Sequence, residues 1–310
     1  MDEGDVVLLF FRLPYNYDDD LPITIVPALE IAETPFSALN STSEEHMSCY
    51  VLPGHKLPGM GINHCCLVSP ISCKPPVGIS RDALLFLFIT ALRLIAPAII
   101  EISGQFEYGG EEDPIRNPRL YNMRSTWQPA HDYSYCGLDF VNAGKLLIPI
   151  INCMNGNLGR LKYAFMLFSQ VTCGFSLSYQ MSVLALFAAL EALFAPHKGN
   201  YGMLLGSRVG RYLAKFDTDR SLEKWLSDQY IRERHSLSHG FWQFSPDVEH
   251  TSERNMNFGK LHEIVRLCLL GFLSEDADNL SFMFLRGRKL QSKLDNLPPA
   301  NGIFLQGQHM

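Results

Sequence analysis

Apolar positions change their period about half-way along the chain. Up to about residue 80 they come in short runs, VVLLFFRL from Val6, ITIVPALEIA from Ile23, CYVLPG from Cys49 and CCLVS from Cys65. Turn-formers such as NYDDDLP, PGHKLPGMG and CKPPVG separate them, which predicts strands with long connections. A helix is expected at about 81–96, opened by Ser80 as its N-cap. The stretch 104–145 is aromatic and irregular and carries Pro114, Pro118 and Pro129, so it predicts a long loop or small sheet rather than a helical array.

From about Asn157 the apolar spacing becomes three and four, the signature of amphipathic helices. Helices are expected over 158–173, 178–195, 201–216, 219–239 and 257–273, parted by PHKGN, DT and GFWQFSPDVEHTSER. Those breaks suit antiparallel neighbours in a bundle. The pattern as a whole predicts an α+β chain: a mixed N-terminal region over 1–156, an all-α antiparallel bundle over 157–295 and a loose tail over 296–310.

With 310 residues, 47% of them hydrophobic, the chain has material for a substantial core. A net charge of −6 argues against non-specific coating of nucleic acid or anionic membrane, and leaves room for a local basic site. The eight cysteines are irregularly placed and the N-terminus MDEGDVVLLFF is acidic, so reduced thiols in a cytoplasmic protein are expected. The run HCCLVSPISC lacks paired Cys-x-x-Cys knuckles, and no metal or cofactor is expected. The apolar runs 83–100 and 181–195 contain Arg93 and Pro97 in the first and Glu191 in the second, and read as buried helices rather than membrane spans.

Candidate chemistry gathers in YIRERHSLSHGFW, residues 230–242. One reading is a helix end: His239 before Gly240 matches a helix stop with a cation near the last carbonyls, and Arg232, Glu233 and Arg234 form a solvated face. The other is a site. At about 100° per residue His235 and His239 share a face, and Arg234 lies about 140° from His239, within reach of the same phosphate for a long side chain. A bidentate cation beside an imidazole is the minimum set for metal-independent RNA cleavage: histidine moves the proton of the 2′-hydroxyl and arginine stabilises the charge developing on phosphorus.

The segment RHSLSHG resembles the signature of the HEPN superfamily, an arginine, a polar residue, three variable residues and a histidine, with Arg234, His235 and His239 in those places. LALFAALEALF, which carries Glu191, and GSRVGRYLAKF, which carries Arg208, are similar in order and spacing to the Apea-like branch, over roughly residues 165–275. One feature departs from that branch, where a tyrosine commonly stands three residues before the arginine: here Tyr230 stands four before Arg234. The resemblance implies a helical bundle that forms a homodimer, with both copies of Arg234 and His239 lining one cleft. It also implies a metal-independent endoribonuclease of the kind found in phage defence and toxin-like stress systems, with His235 orienting the site or binding substrate. The alternative, from the same resemblance, is a non-catalytic module for dimerisation, partner binding or RNA binding.

Glu191 reads either as a structural ion pair, with Arg208 the candidate partner, or as a member of the site, because an unpaired carboxylate in an apolar helix is costly. Arg208 and Arg211 are alternatively the rim of an RNA groove, and Tyr230 and Trp242 are candidates to stack a splayed base. The N-terminal half carries no phosphate-loop or nucleophile-elbow pattern and is, by position alone, a candidate sensor or binding part for an activating partner.

Overall fold

The computed structural model describes residues 6–14, 23–26, 29–33, 62–70, 78–96, 100–108, 116–123, 133, 135–156, 158–172, 178–195, 201–217, 221–239, 248–275 and 279–305. These residues are mostly helical. By contact the chain divides into two compact units, 1–125 with 131–148 and 126–130 with 149–310.

In the first unit, strands β1 (Val6–Pro14), β2 (Ile23–Val26), β3 (Leu29–Glu33), β4 (Ile62–Pro70), β5 (Glu101–Tyr108) and β6 (Arg116–Met123) form one sheet in the order β2-β3-β4-β1-β5-β6. Every pairing is antiparallel, with β1 in the middle: Phe10 faces Cys66 on β4 and Gly104 on β5. Residues 49–54, expected as a strand, lie outside the described residues. Helix α1 (Arg81–Ile95) starts where the sequence places it, because the Ser80 hydroxyl accepts the Ala83 N–H at 3.2 Å. The Gln105 amide donates to Asp82 at 2.7 Å and ties this helix to β5.

Helix α2 (Gly137–Asn155) corrects the expectation of non-helical chain up to residue 145 and of helices only after 156. Asp139 reaches back to accept the Cys136 N–H at 2.9 Å, half of a capping box that a search for Ser or Thr caps passes over. Pro149 stands inside the helix and withholds one backbone donor, yet Leu146, Leu147, Ile150 and Cys153 are all buried around it. Burial of this face outweighs the loss of one hydrogen bond, and the division between the two units falls at this proline.

The second unit holds α3 (Gly159–Thr172), α4 (Tyr179–Phe194), α5 (Tyr201–Tyr212), α6 (Leu222–Gln229), a π-helical segment (Tyr230–His235) running into a short turn (Ser236–Ser238), α7 (Val248–Leu273) and α8 (Gly287–Asp295). Short 3-10 turns lie at Asn279–Phe284 and Ile303–Leu305. α7 begins nine residues before its expected start at 257, which shortens the break after His239. Helix α4 packs against α3, α5, α7 and the π segment. It buries Leu186, Phe187, Leu190, Leu193 and Phe194 there.

Helix α5 presents Gly202, Gly206 and Gly210, one per turn, to α6 and the π segment. A Cβ on Gly206 would lie 2.4 Å from the Glu223 carbonyl oxygen, so the two backbones touch. This contact also brings the start of α5 against Tyr230, whose ring lies 3.4 Å from where a Cβ on Gly202 would be.

The chain after Leu294 was expected to be loose. The structure instead buries Ala300, Phe304 and Leu305, and the Ala300 N–H donates to the Tyr212 carbonyl at 2.7 Å. Too few apolar residues mark this stretch for a pattern search to find it. No helix among the described residues is long and apolar enough to cross a membrane.

The α5–α6 contact predicts opposite outcomes for two glycine-to-alanine changes. Gly206→Ala should destabilise the protein by about 1–3 kcal/mol, since a backbone carbonyl cannot step aside and this exceeds the helix-propensity gain of about 1 kcal/mol. Gly159→Ala, where the new methyl meets open space, should be neutral or stabilising by under about 1 kcal/mol. Urea midpoints of the two variants check this.

Candidate active site

The site is assembled by one carboxylate and one irregular helical turn. Glu191 lies in the last turn of α4, with its side chain 22% exposed. Its Oε1 accepts the Tyr230 hydroxyl at 2.8 Å and the Arg234 Nε–H at 3.0 Å. A carboxylate on an apolar helix is thus satisfied by a phenol and a guanidinium from the same turn. This settles the partner of Glu191: it is Arg234, not Arg208.

That turn is π-helical from Tyr230 to His235. A π turn takes one more residue than an α turn, and such bulges recur at functional sites. Both contacts to Glu191 come from this turn, from Tyr230 and Arg234, four residues apart. The same turn sends Glu233 to the other side, where it is buried beside Tyr179 and Phe258. Arg232 points outward and pairs with Glu253 at 3.1 Å, the solvated-face role of the helix-end reading, which the buried Glu233 does not share.

Tyr230 is fixed by its neighbours. Its ring meets Phe187 edge-on at 5.4 Å, and the Arg234 guanidinium carbon lies 5.8 Å from its centroid. Burial raises its phenol above the ordinary value of 10.0, and the hydrogen bond to Glu191 and the Glu191 charge push it further the same way, so it stays a neutral donor.

Beyond Arg234 the helix ends in the histidines. The rings of His235 and His239 are 4.3 Å apart, tilted by 51°, and both residues are exposed. The His239 N–H closes the last turn on the His235 carbonyl at 3.1 Å. The stretch is a helix end and a candidate site at once. An open cleft of about 500 Å³ joins these residues: Glu191, Tyr230, Arg234, His235 and His239 line it, with Tyr201 and Gly202 from α5 and Ile231 and Ser238 from the signature helix.

Of the other sequence-expected residues, Arg208 is corrected. It is buried, its Nε and Nη2 hold Asp295 at 2.8 Å, and its Nη1 donates to the Phe194 carbonyl, so it locks α8 and the end of α4 rather than edging a groove. Its place in the sequence, two residues after Gly206 of the α5 stripe, gives no sign of that partner 87 residues away. Arg211 is exposed, with a 3.4 Å bond to Ser207, and does not line the cleft. Trp242 lies outside the described residues. Tyr201 was not foreseen. The one-per-turn glycines of α5 were the signal for it, because close approach of that helix carries its first residue to the cleft.

Chemically, the arrangement offers a cation whose Nε is anchored while its two Nη groups have no hydrogen-bond partner among the described residues, beside two imidazoles. Among the described residues no cluster of three or more His, Cys, Asp or Glu side chains is placed to hold a metal ion. The histidine and cysteines of HCCLVSPISC fall where side chains are outside the description.

The raised Tyr230 phenol carries a sign for stability. The folded state holds this proton more tightly than the unfolded chain, so the contribution is complete below the ordinary phenol value and is lost as pH rises above it. Tyr230→Phe should therefore unfold more easily than wild type at neutral pH and show a shallower loss of stability as the pH rises above about 10. Urea titrations across that range test it; parallel curves would mean that the phenol is not held by Glu191.

Comparison with family models, with curated proteins and with solved structures found no match to this chain, so its chemistry is read from these residues themselves.

Proposed function

We propose that the chain is a HEPN-type endoribonuclease that cleaves RNA without a metal ion. The observation that carries the reading is the cleft in which Arg234, His235 and His239 stand together, with Arg234 pinned by Glu191. In the reaction the 2′-hydroxyl oxygen attacks the adjacent phosphorus and the 5′-oxygen leaves. The products are a 2′,3′-cyclic phosphate and a 5′-hydroxyl. His239 carries the proton-transfer role, and His235, one turn away, orients substrate or the second proton. The Nη groups of Arg234 meet the phosphorane oxygens as charge builds on them, the role a metal ion plays in other nucleases.

Glu191 serves this chemistry by direction rather than by charge. A carboxylate that takes Nε leaves the Nη edge of the guanidinium for phosphate, and the same oxygen holds Tyr230. Tyr201 and Tyr230 bring ring surface to the cleft, which suits single-stranded RNA with unstacked bases. A homodimer would place two such sets together, as the family resemblance implies.

The Arg234–Glu191 ion pair equally suits the second reading, a non-catalytic dimerisation or binding module in which the arginine is structural. The two are separated by incubating purified protein with total tRNA and a structured messenger RNA in excess EDTA, beside the Arg234→Ala/His239→Ala variant. Wild type should cut and leave cyclic phosphate ends; the double variant should not. His239→Ala alone should lower kcat by about 10²–10⁴-fold with the thermal unfolding midpoint unchanged, since the ring is exposed. Cutting by the double variant at the wild-type rate would refute the assignment. A loss of assembly or thermal stability in that variant, with no cutting by either protein, belongs to the second reading.

A further inference from the structure

A second cationic surface lies away from the cleft lining. Arg160 stands in the first turn of α3, and Arg286 and then Arg288 and Lys289 stand at the entrance to α8. α3 packs against the Asn279–Phe284 turn that leads into Arg286. Burial and the nearby Arg286 charge hold the Arg160 guanidinium below its ordinary value, so the two helix starts put like charges side by side. Among the described residues no carboxylate forms an ion pair with any of the four. The chain as a whole is acidic, with a net charge of −6, so an uncompensated group of cations is a local arrangement and not a property of its composition.

Two rings stand on the same elements. Tyr163, one turn after Arg160, is 53% exposed, and Phe284, two residues before Arg286, is 54% exposed. Two exposed rings on the elements that carry these cations leave two demands unmet at a free surface: the rings favour burial and the charges favour a counter-ion. A partner that brings both anions and flat π-faces satisfies them together.

We infer that the surface formed by the start of α3, the 279–284 turn and the start of α8 docks single-stranded RNA, its phosphates on Arg160, Arg286, Arg288 and Lys289 and its bases on Tyr163 and Phe284. The choice of RNA among polyanions rests on the reading of the cleft; the charge and the exposed rings are independent of it. An acidic protein segment would meet the cations but not stack in succession on the rings. The surface supplies affinity without base-specific contacts, and leaves bond breaking to the cleft.

The test uses full-length protein and a fluorescent 2′-O-methyl oligonucleotide of ~12 nucleotides, a length within the range single-stranded sites cover. This probe cannot be cut, because its 2′-oxygen is blocked. Binding by anisotropy across salt concentrations should weaken at least about tenfold in Arg286→Gln/Arg288→Gln/Lys289→Gln, with the slope of log affinity on log salt smaller by about 2. Tyr163→Ala/Phe284→Ala should weaken binding roughly tenfold with the slope unchanged. Unaltered affinity and slope in the triple variant overturn the proposal, as does displacement of the probe by poly-glutamate as readily as by unlabelled RNA, which would assign the surface to an acidic protein. Unmodified RNA, tested in parallel, separates this from the cleft: binding through the surface with no cutting by wild type refutes the nuclease reading and leaves the docking surface standing.

Discussion

One ionised carboxylate on an apolar helix constrains everything around the cleft. Glu191 follows Ala188, Ala189 and Leu190 and sits in the helix that packs against most of its unit. Unpartnered there it would cost several kcal/mol (about 3–5 for a buried pair broken on one side). The surrounding chain meets that demand with two donors to one oxygen, at 2.8 and 3.0 Å. In doing so it fixes the rotamers of Tyr230 and Arg234, so a requirement of folding sets the direction of a side chain that faces solvent. Stability and site geometry are here a single contact, partly exposed on both sides.

The helical irregularity follows from the same demand together with the α5 contact. Gly206 and Gly210 let α6 lie flush on α5, which fixes the height of Glu223 and of the turn that follows. From that fixed start the chain must deliver Tyr230 and Arg234 to Glu191 while burying Glu233 on the opposite side. The wider π turn accommodates these requirements in the register observed. The four-residue spacing of Tyr230 and Arg234 falls where the helix takes its added residue.

What the sequence made legible was whatever rests on local periodicity. Helices α3, α4 and the beginning of α5 came within a residue or two of their bounds, and Ser80 marked the start of α1, because each follows from a repeating apolar face or a cap hydroxyl. The grouping of Arg234, His235 and His239 was legible for the same reason, since helical spacing puts the two histidines on one face and the long arginine within reach of it. Long-range choices were not. Arg208 reads in the sequence as a candidate partner of Glu191, whereas the carboxylate it takes, Asp295, depends on α8 returning to α5, a contact 87 residues long in sequence. Helix α2 was hidden by Pro149, since a proline weighs locally against a helix while the burial that overrides it is tertiary. Tyr201 needed the packing of two helices before its place in the cleft had meaning.

Charge placement links the two surfaces on the bundle. A chain with an excess of six acidic residues repels polyanions at long range, so under the proposed reading attraction to RNA would have to arise from local cations at short range. The two surfaces solve this differently. In the cleft a carboxylate takes one edge of Arg234 and leaves its net charge low, which favours orientation and transition-state charge over affinity. At the starts of α3 and α8 no such carboxylate is paired among the described residues, which favours affinity. On the proposed reading, an enzyme that kept its binding charge in the cleft would stabilise substrate and transition state alike, whereas separating the two would let the cleft respond to the charge that appears only as the phosphorane forms.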